Sequence, residues 1–369
     1  MLPDVALLEI FYTYMLGPRI VHEWYRLVHV CQKWRNVIFG SPRRLRLQLY
    51  CTAWTPARET LAAWPPWPIV VWEDGHEKWG LDNIIAALEH NDRICEIDFR
   101  EIAQFESVLE AMQKPFPELT NVVLADGYLN TEYQRAQVLP DSFLGGFAPR
   151  LQSLSLTNVS FCGLPKLLLS ATHLVQLGLW KIPDSGYISP EALATCLSVL
   201  TRLESLEVGL RCCPDRNRRR PAPQTRILVP GLTNLSFRGA GEYLEDLVSR
   251  IDAPLLCNLT VAFFFQLILD IPQLVQFICR TPRLKTHDEA RVEFNNRHTS
   301  VSLPQTFDGC LKLGFSHVKG NLDWELSSLA QVCDSLSFHQ NLIPAVERLY
   351  IQTFIWGQWE DDVESGQWL

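Results

Sequence analysis

Along this chain a short phrase of apolar and polar positions keeps returning: an apolar residue, two polar or small ones, an apolar residue, one more, then an apolar residue. It reads Ile94–Ile97–Phe99, Leu119–Val122–Leu124, Leu151–Leu154–Leu156, Leu174–Leu177–Leu179 and Leu203–Leu206–Val208. It continues as Leu232–Leu235–Phe237, Leu256–Leu259–Val261 and, after a gap, Val346–Leu349–Ile351. Leu284 opens a degraded copy with His287 in its second apolar place. From Ile94 to Leu284 the first positions lie 25, 32, 23, 29, 29, 24 and 28 residues apart. That range brackets the leucine-rich repeat of roughly 20–29 residues. A proline stands two residues before the first apolar position at Pro117, Pro149, Pro230, Pro254, Pro282 and Pro344. Each phrase predicts a short strand whose alternate side chains face one core.

Between the strands, apolar spacing of i, i+3 and i+4 predicts helices at Leu81–Glu89, Phe105–Met112, Gly163–Ser170, Pro190–Leu200, Glu242–Ile251, Gln273–Cys279 and Trp324–Cys333. Pro190 after Ser189 reads as a cap followed by a first-turn proline. Two strands precede the phrase, around Leu45–Leu49 and Ile69–Trp72. Stacked strand–helix units make the expected fold class α/β: a leucine-rich-repeat solenoid, a curved parallel sheet with outer helices, over residues 41–369.

The first 40 residues are built differently. Leu2-Pro3-Asp4 begins a helix carrying Leu7, Leu8, Ile10 and Phe11, and a second helix is expected from Val21 to Phe39. Their apolar groups sit on more than one face, so the repeats or a partner must cover part of them.

Leu-Pro, then Leu-Leu-x-Ile-Phe, then Leu27-Val28-x-Val30-Cys31-x-x-Trp34-Arg35 resembles the F-box of fungal F-box/leucine-rich-repeat proteins. Val5-Ala6 stands where that family usually has an acidic-then-apolar pair. The resemblance implies a small all-α F-box at residues 1–40 that docks on the Skp-family adaptor of a cullin–RING ubiquitin ligase. Carried over by position, Leu2, Pro3, Leu7, Leu8, Ile10, Phe11, Val30, Cys31 and Trp34 form the adaptor face. The repeats would then hold an unknown target protein, with no catalytic residue of their own. The alternative is a leucine-rich interaction scaffold in which the same segment only caps the solenoid. Similar proteins continue past a Gln367-Trp368-Leu369 stretch, so the chain reads as shortened at that end.

Composition excludes more than it selects. A net charge of −8 and a pI near 5.6 argue against nucleic-acid binding through a global field. Arg211, Arg216, Arg218, Arg219, Arg220 and Arg226, mixed with prolines, read first as a solvated loop between repeats. Eleven scattered cysteines without a CxxC pair read as reduced thiols of a cytoplasmic or nuclear protein. The sequons at Asn158, Asn234 and Asn258 are accordingly assigned to hydrogen bonding at turns. The apolar stretch Leu255–Leu269 carries Asn258 and Gln266 and falls short of a membrane span of roughly 20 residues. No HExxH, GxSxG, GxxxxGK[ST] or Cys/His cluster is present, so no metal, cofactor or enzymatic activity is expected. The twelve tryptophans read as packing groups, some of them candidates for partner contacts.

Overall fold

The structure, a computed structural model, describes residues 2–15, 27, 29–40, 47–52, 54, 56–64, 66–73, 80–100, 104–126, 137–161, 164–211, 225–264, 271–284, 289–295, 298–304, 309–316, 327, 330–331 and 348–354. Its architecture is mixed α/β. Thirteen strands form one mostly parallel sheet, and helices pack beside it, an arrangement compatible with a solenoid.

Nine strands lie side by side in chain order: β1 (Leu47–Tyr50), β2 (Ile69–Glu73), β3 (Ile94–Arg100), β4 (Asn121–Ala125), β5 (Ser153–Thr157), β6 (Gln176–Ile182), β7 (Ser205–Leu210), β8 (Asn234–Gly239) and β9 (Asn258–Phe264). All eight pairings among them are parallel. Register places Ile97, Val122, Leu154, Leu177, Leu206, Leu235 and Leu259 in one row and Phe99, Leu124, Leu156, Leu179, Val208, Phe237 and Val261 in the next. Every one of these is at most 2 % exposed. The repeated phrase is therefore a double ladder of side chains entering one continuous core.

The recurring proline has a local cause. Leu119, Leu151, Leu232, Leu256 and Leu284 each donate their amide to the carbonyl three residues back, at 3.1–3.4 Å. The proline is the second residue of that β-turn, where its fixed φ is preorganised. Leu174 and Leu203 close the same turn without one. All seven leucines are buried. Each turn thus drives its leucine inward, and all but the one at Leu284 launch the next strand of the ladder.

The helices follow the sequence reading closely. With the amino-terminal pair α1 (Asp4–Met15) and α2 (Gln32–Phe39), they are α3 (Ala57–Ala63), α4 (Leu81–Leu88), α5 (Phe105–Ala111), α6 (Leu164–Ser170), α7 (Pro190–Leu197), α8 (Gly241–Arg250) and α9 (Pro272–Arg280). Successive helices touch along α3–α4–α5 and α6–α7–α8–α9. The Ser189 side chain accepts the Ala192 amide at 3.1 Å, with Pro190 in the first turn, as expected. Helix α3 has no counterpart in the periodicity reading. The helix expected at Trp324–Cys333 falls almost wholly outside the described residues.

Three expectations need correction. The Leu284 copy closes its turn, Pro282–Leu284, but opens no strand beside β9, since its second apolar place holds the polar His287. The sheet instead continues from β9 into β12 (Cys310–Ser316), which buries Leu311 and Leu313 in the same two rows and Phe315 beside Phe263. Between them in the chain, β10 (Glu289–Asn295) and β11 (His298–Pro304) form a hairpin, and β11 runs antiparallel to both β10 and β12. The sheet is thus not wholly parallel. The last copy does form a strand, β13 (Arg348–Phe354), parallel to β10. It is the sheet's final strand, and its Leu349 and Ile351 are 61 % and 66 % exposed rather than buried. Finally, the single helix expected over Val21–Phe39 is interrupted at Cys31, which is extended (φ −161°, ψ 166°) and caps α2 by accepting the Trp34 amide on Sγ at 3.5 Å.

Candidate functional site

Two surfaces carry the residues that function could use. The first is the amino-terminal helical pair. Leu7, Leu8 and Phe11 lie on its inner side with Leu27, Val37 and Ile38, and β1 contributes Leu47. Trp34 is half-buried against this cluster, its ring 4.8 Å from that of Phe11, and Trp64 and Trp67 complete the packing. Of the nine residues assigned to the adaptor face, these four serve internal packing. Leu2, Pro3, Ile10, Val30 and Cys31 face solvent.

Two more apolar residues of α1 are exposed, Val5 at 63 % and Tyr12 at 47 %. The sequence reading missed them, although Leu2, Val5 and Tyr12 keep a helical spacing that would have revealed them. Lys33 holds the two helices together at this end, its Nζ 3.0 Å from the Leu2 carbonyl and 3.4 Å from Asp4. Both side chains of that pair are well exposed, so it orients more than it stabilises.

The second surface is the sheet face away from the core. Register sets Tyr50, Trp72, Asp98, Val123, Ser155, Gly178, Glu207, Ser236 and Thr260 in one row across β1 to β9. Its middle is a floor of small residues. Asp98 and Arg100 form a two-pronged ion pair at 2.8 and 2.9 Å. Trp180 lies over two glycines: a Cβ built on Gly209 would stand 3.0 Å from its Cε3, and one on Gly178 would stand 3.5 Å from its Nε1. The indole N–H donates to Glu207 Oε2 at 3.0 Å. Of the other tryptophans singled out, Trp54 is fully solvent-facing, and Trp79, Trp356 and Trp359 lie outside the described residues.

At the carboxyl ends of the strands, Asn158 is buried with φ of +60°. Its amide donates to Asp126 at 3.3 Å, and its carbonyl accepts from Arg211 at 2.9 Å. Asn234 and Asn258, equivalent in register, hydrogen-bond each other at 2.7 Å. All three sequon asparagines thus engage in hydrogen bonds near turns or strand ends. Asn158→Ala forces alanine into the left-handed region and deletes both bonds, at a cost of about 2–4 kcal/mol. Urea unfolding of the variant beside wild type measures that loss.

The remaining chemistry is sparse. An open groove of about 490 Å³ at the amino edge of the sheet is lined by Gln152, His173, Val175, Arg202, Glu204, Gly231, Thr233 and Leu255. Arg202 reaches His173 Nδ1 at 2.9 Å there. Burial pushes the Cys51 thiol up to about 12, with Glu73 adding to the effect, and raises Cys196 to about 11. Both are therefore protonated at neutral pH and unsuited to nucleophilic attack. Among the described residues no three His, Cys, Asp or Glu side chains are grouped to hold a metal ion. No helix among them is long and apolar enough to cross a membrane. The arginines at 216 and 218–220 lie outside the described residues.

No protein-family model matches the chain, and no curated protein matches it. The functional reading therefore rests on the two surfaces themselves.

Proposed function

We propose that this chain is the substrate-recognition subunit of a cullin–RING ubiquitin ligase, of the F-box/leucine-rich-repeat kind. Its amino-terminal pair would dock on a Skp-family adaptor, and its sheet face would hold a target protein. The observation that carries this reading is the division of labour in the helical pair. Leu7, Leu8, Phe11 and Trp34 are taken up in a core shared with Leu47, Trp64 and Trp67, which leaves Leu2, Val5, Ile10, Tyr12 and Val30 exposed. Single exposed apolar residues are ordinary, but five within one short helical pair are a concentration that a partner gripping the pair would bury. At about 1.5–3 kcal/mol for each large apolar side chain fully buried, a handful suffices for a stable complex. The protein would act by bringing a target near the ligase, in the cytoplasm or nucleus, without chemistry of its own.

The test is co-expression with a Skp-family adaptor and size-exclusion chromatography of wild type and the double variant Ile10→Asp/Val30→Asp. Both side chains are at least half exposed, so the variant keeps its fold. Co-elution of wild type, lost in the variant with its circular dichroism unchanged, is the expected result. A folded wild type that ignores the adaptor rejects the ligase reading.

A second reading has its own support. The inner side of the same pair packs on Leu47, Trp64 and Trp67 and so covers the β1 end of the sheet. A repeat array needs such a cover whatever its function. On that reading the chain is an interaction scaffold with no role in ubiquitin transfer, and the co-elution experiment separates the two.

A further inference from the structure

We propose that the Trp180–Glu207 niche on the open face of the sheet receives an arginine side chain of the bound protein. The proposal rests on the reading above, in that the open face is where a partner protein is held. Three observations converge on it.

The first is the lie of the indole. Trp180 sits across β6 and β7, against the positions where Gly178 and Gly209 lack a side chain. Glycine inside a strand sacrifices packing and chain entropy. Here both vacancies are filled by the ring, whose inner face meets the sheet and whose outer face is left towards solvent. The ring is half-buried, as that placement requires.

The second is the carboxylate at its edge. Glu207 Oε2 accepts the indole N–H, and no hydrogen bond to Oε1 is present among the described residues. The cation that follows on the same strand, Arg211, is committed to Asn158. The niche therefore joins an exposed π face to an acceptor oxygen with capacity to spare.

The third is the row of small residues beside Glu207. Ser155 and Gly178 lie on one side of Glu207 in register and Ser236 on the other. Arg238, exposed on β8 and in register with Gly209, flanks the far end of the ring, so a long side chain from a partner approaches over the Ser155 and Gly178 side. A planar guanidinium suits both features at once: it stacks on an indole and donates in its own plane to a carboxylate. A compact ammonium cannot do both in that geometry.

The test uses single-residue probes on the full chain, so it does not depend on adaptor docking or on knowing the target. The protein is labelled with 15N at tryptophan, and the Trp180 indole signal is assigned by its disappearance in Trp180→Phe. N-acetyl-arginine amide is then titrated at constant ionic strength, beside its neutral analogue N-acetyl-citrulline amide and N-acetyl-lysine amide. The expected result is a saturable shift of the Trp180 signal with the arginine probe, absent with citrulline, at least several-fold weaker with lysine, and lost in Glu207→Gln. The other indole signals report that the variant is folded. No shift in wild type, an equal shift with citrulline or lysine, or an unchanged shift in Glu207→Gln overturns the proposal. Co-elution with the adaptor can fail while this titration succeeds, and the reverse, so the two readings fall separately.

Discussion

Phe11→Asp is expected to unfold the amino-terminal helical pair while leaving the central repeats intact. Phe11 has no exposed surface, and its ring packs on Trp34 in a cluster with Leu7, Leu8, Val37 and Ile38. Removing a buried aromatic side chain costs about 3–5 kcal/mol. Placing an unpaired carboxylate in the same apolar site adds several more, unless the group protonates or water enters. That total rivals the whole stability of a small domain, about 5–15 kcal/mol. Hydrogen exchange is the measurement: amides of α1 and α2 should lose protection, while those of β3 to β9 keep it. Uniform protection in the variant would reject the burial described for Phe11. The result also bears on docking experiments. A motif-guided choice such as Leu8→Asp/Phe11→Asp would abolish adaptor binding by destroying the module, whatever its role. Ile10 and Val30 are the informative positions.

Phe237→Ala is expected to cost about 3–5 kcal/mol in the middle of the array. The ring is 1 % exposed and lies nearly parallel to Tyr243, with centroids 5.7 Å apart and planes 13° from one another. Tyr243 is itself fixed by a 3.0 Å hydrogen bond to the Ile188 carbonyl, and burial holds its phenol well above the ordinary range. Phe237 Cζ would also stand 3.1 Å from a Cβ on Gly239, so no side chain at that position can swing in to fill the cavity. The loss thus reaches strand β8, helix α8 and the segment before α7 together. Because neighbouring repeats share interfaces, the midpoint in urea should fall for the array and not for one unit. Phe237→Leu, which retains most of the volume, should lose well under half as much. Equal losses for the two variants would argue against a packed cavity.

The central ladder was readable from sequence because two independent signals coincide in it. Alternation fixes which side chains face inward, and the turn proline marks where four of the seven strands β3 to β9 begin. Where they separate, the reading fails. Strand β12 alternates well through Leu311, Leu313 and Phe315, yet no turn leucine precedes it at the repeat interval. Leu284 has its turn proline but no strand follows in register. Alternation states which face is buried, not which strand lies alongside, so the exchange of partners at β9 has no local signature. The helical pair shows the same limit. Residue types announce an apolar helix at Leu7 to Phe11, but its rotation decides that Phe11 points inward and Ile10 outward. Trp180 and Glu207 are 27 residues apart and meet only through register. The glycines at 178 and 209 were the available clue, and they pass unnoticed until the ring is seen above them.

The exchange of partners after β9 sets an order of assembly as the chain leaves the ribosome. Each of the first eight joins links residues 22 to 32 positions apart, from Leu47↔Ile69 through Asn234↔Asn258. A strand can therefore zip onto its predecessor soon after it is made. The ninth join, Asn258↔Cys310, spans 52 positions, and β10 and β11 must be synthesised before it can close. Doubling a loop adds only about 0.6 kcal/mol of closure entropy, so the delay matters more than the free energy. During that interval the outer side of β9, with its row of amides and carbonyls, is the growing tip of a nascent sheet. Chaperone protection during synthesis would be most valuable at this one point, where the regular rhythm of addition pauses.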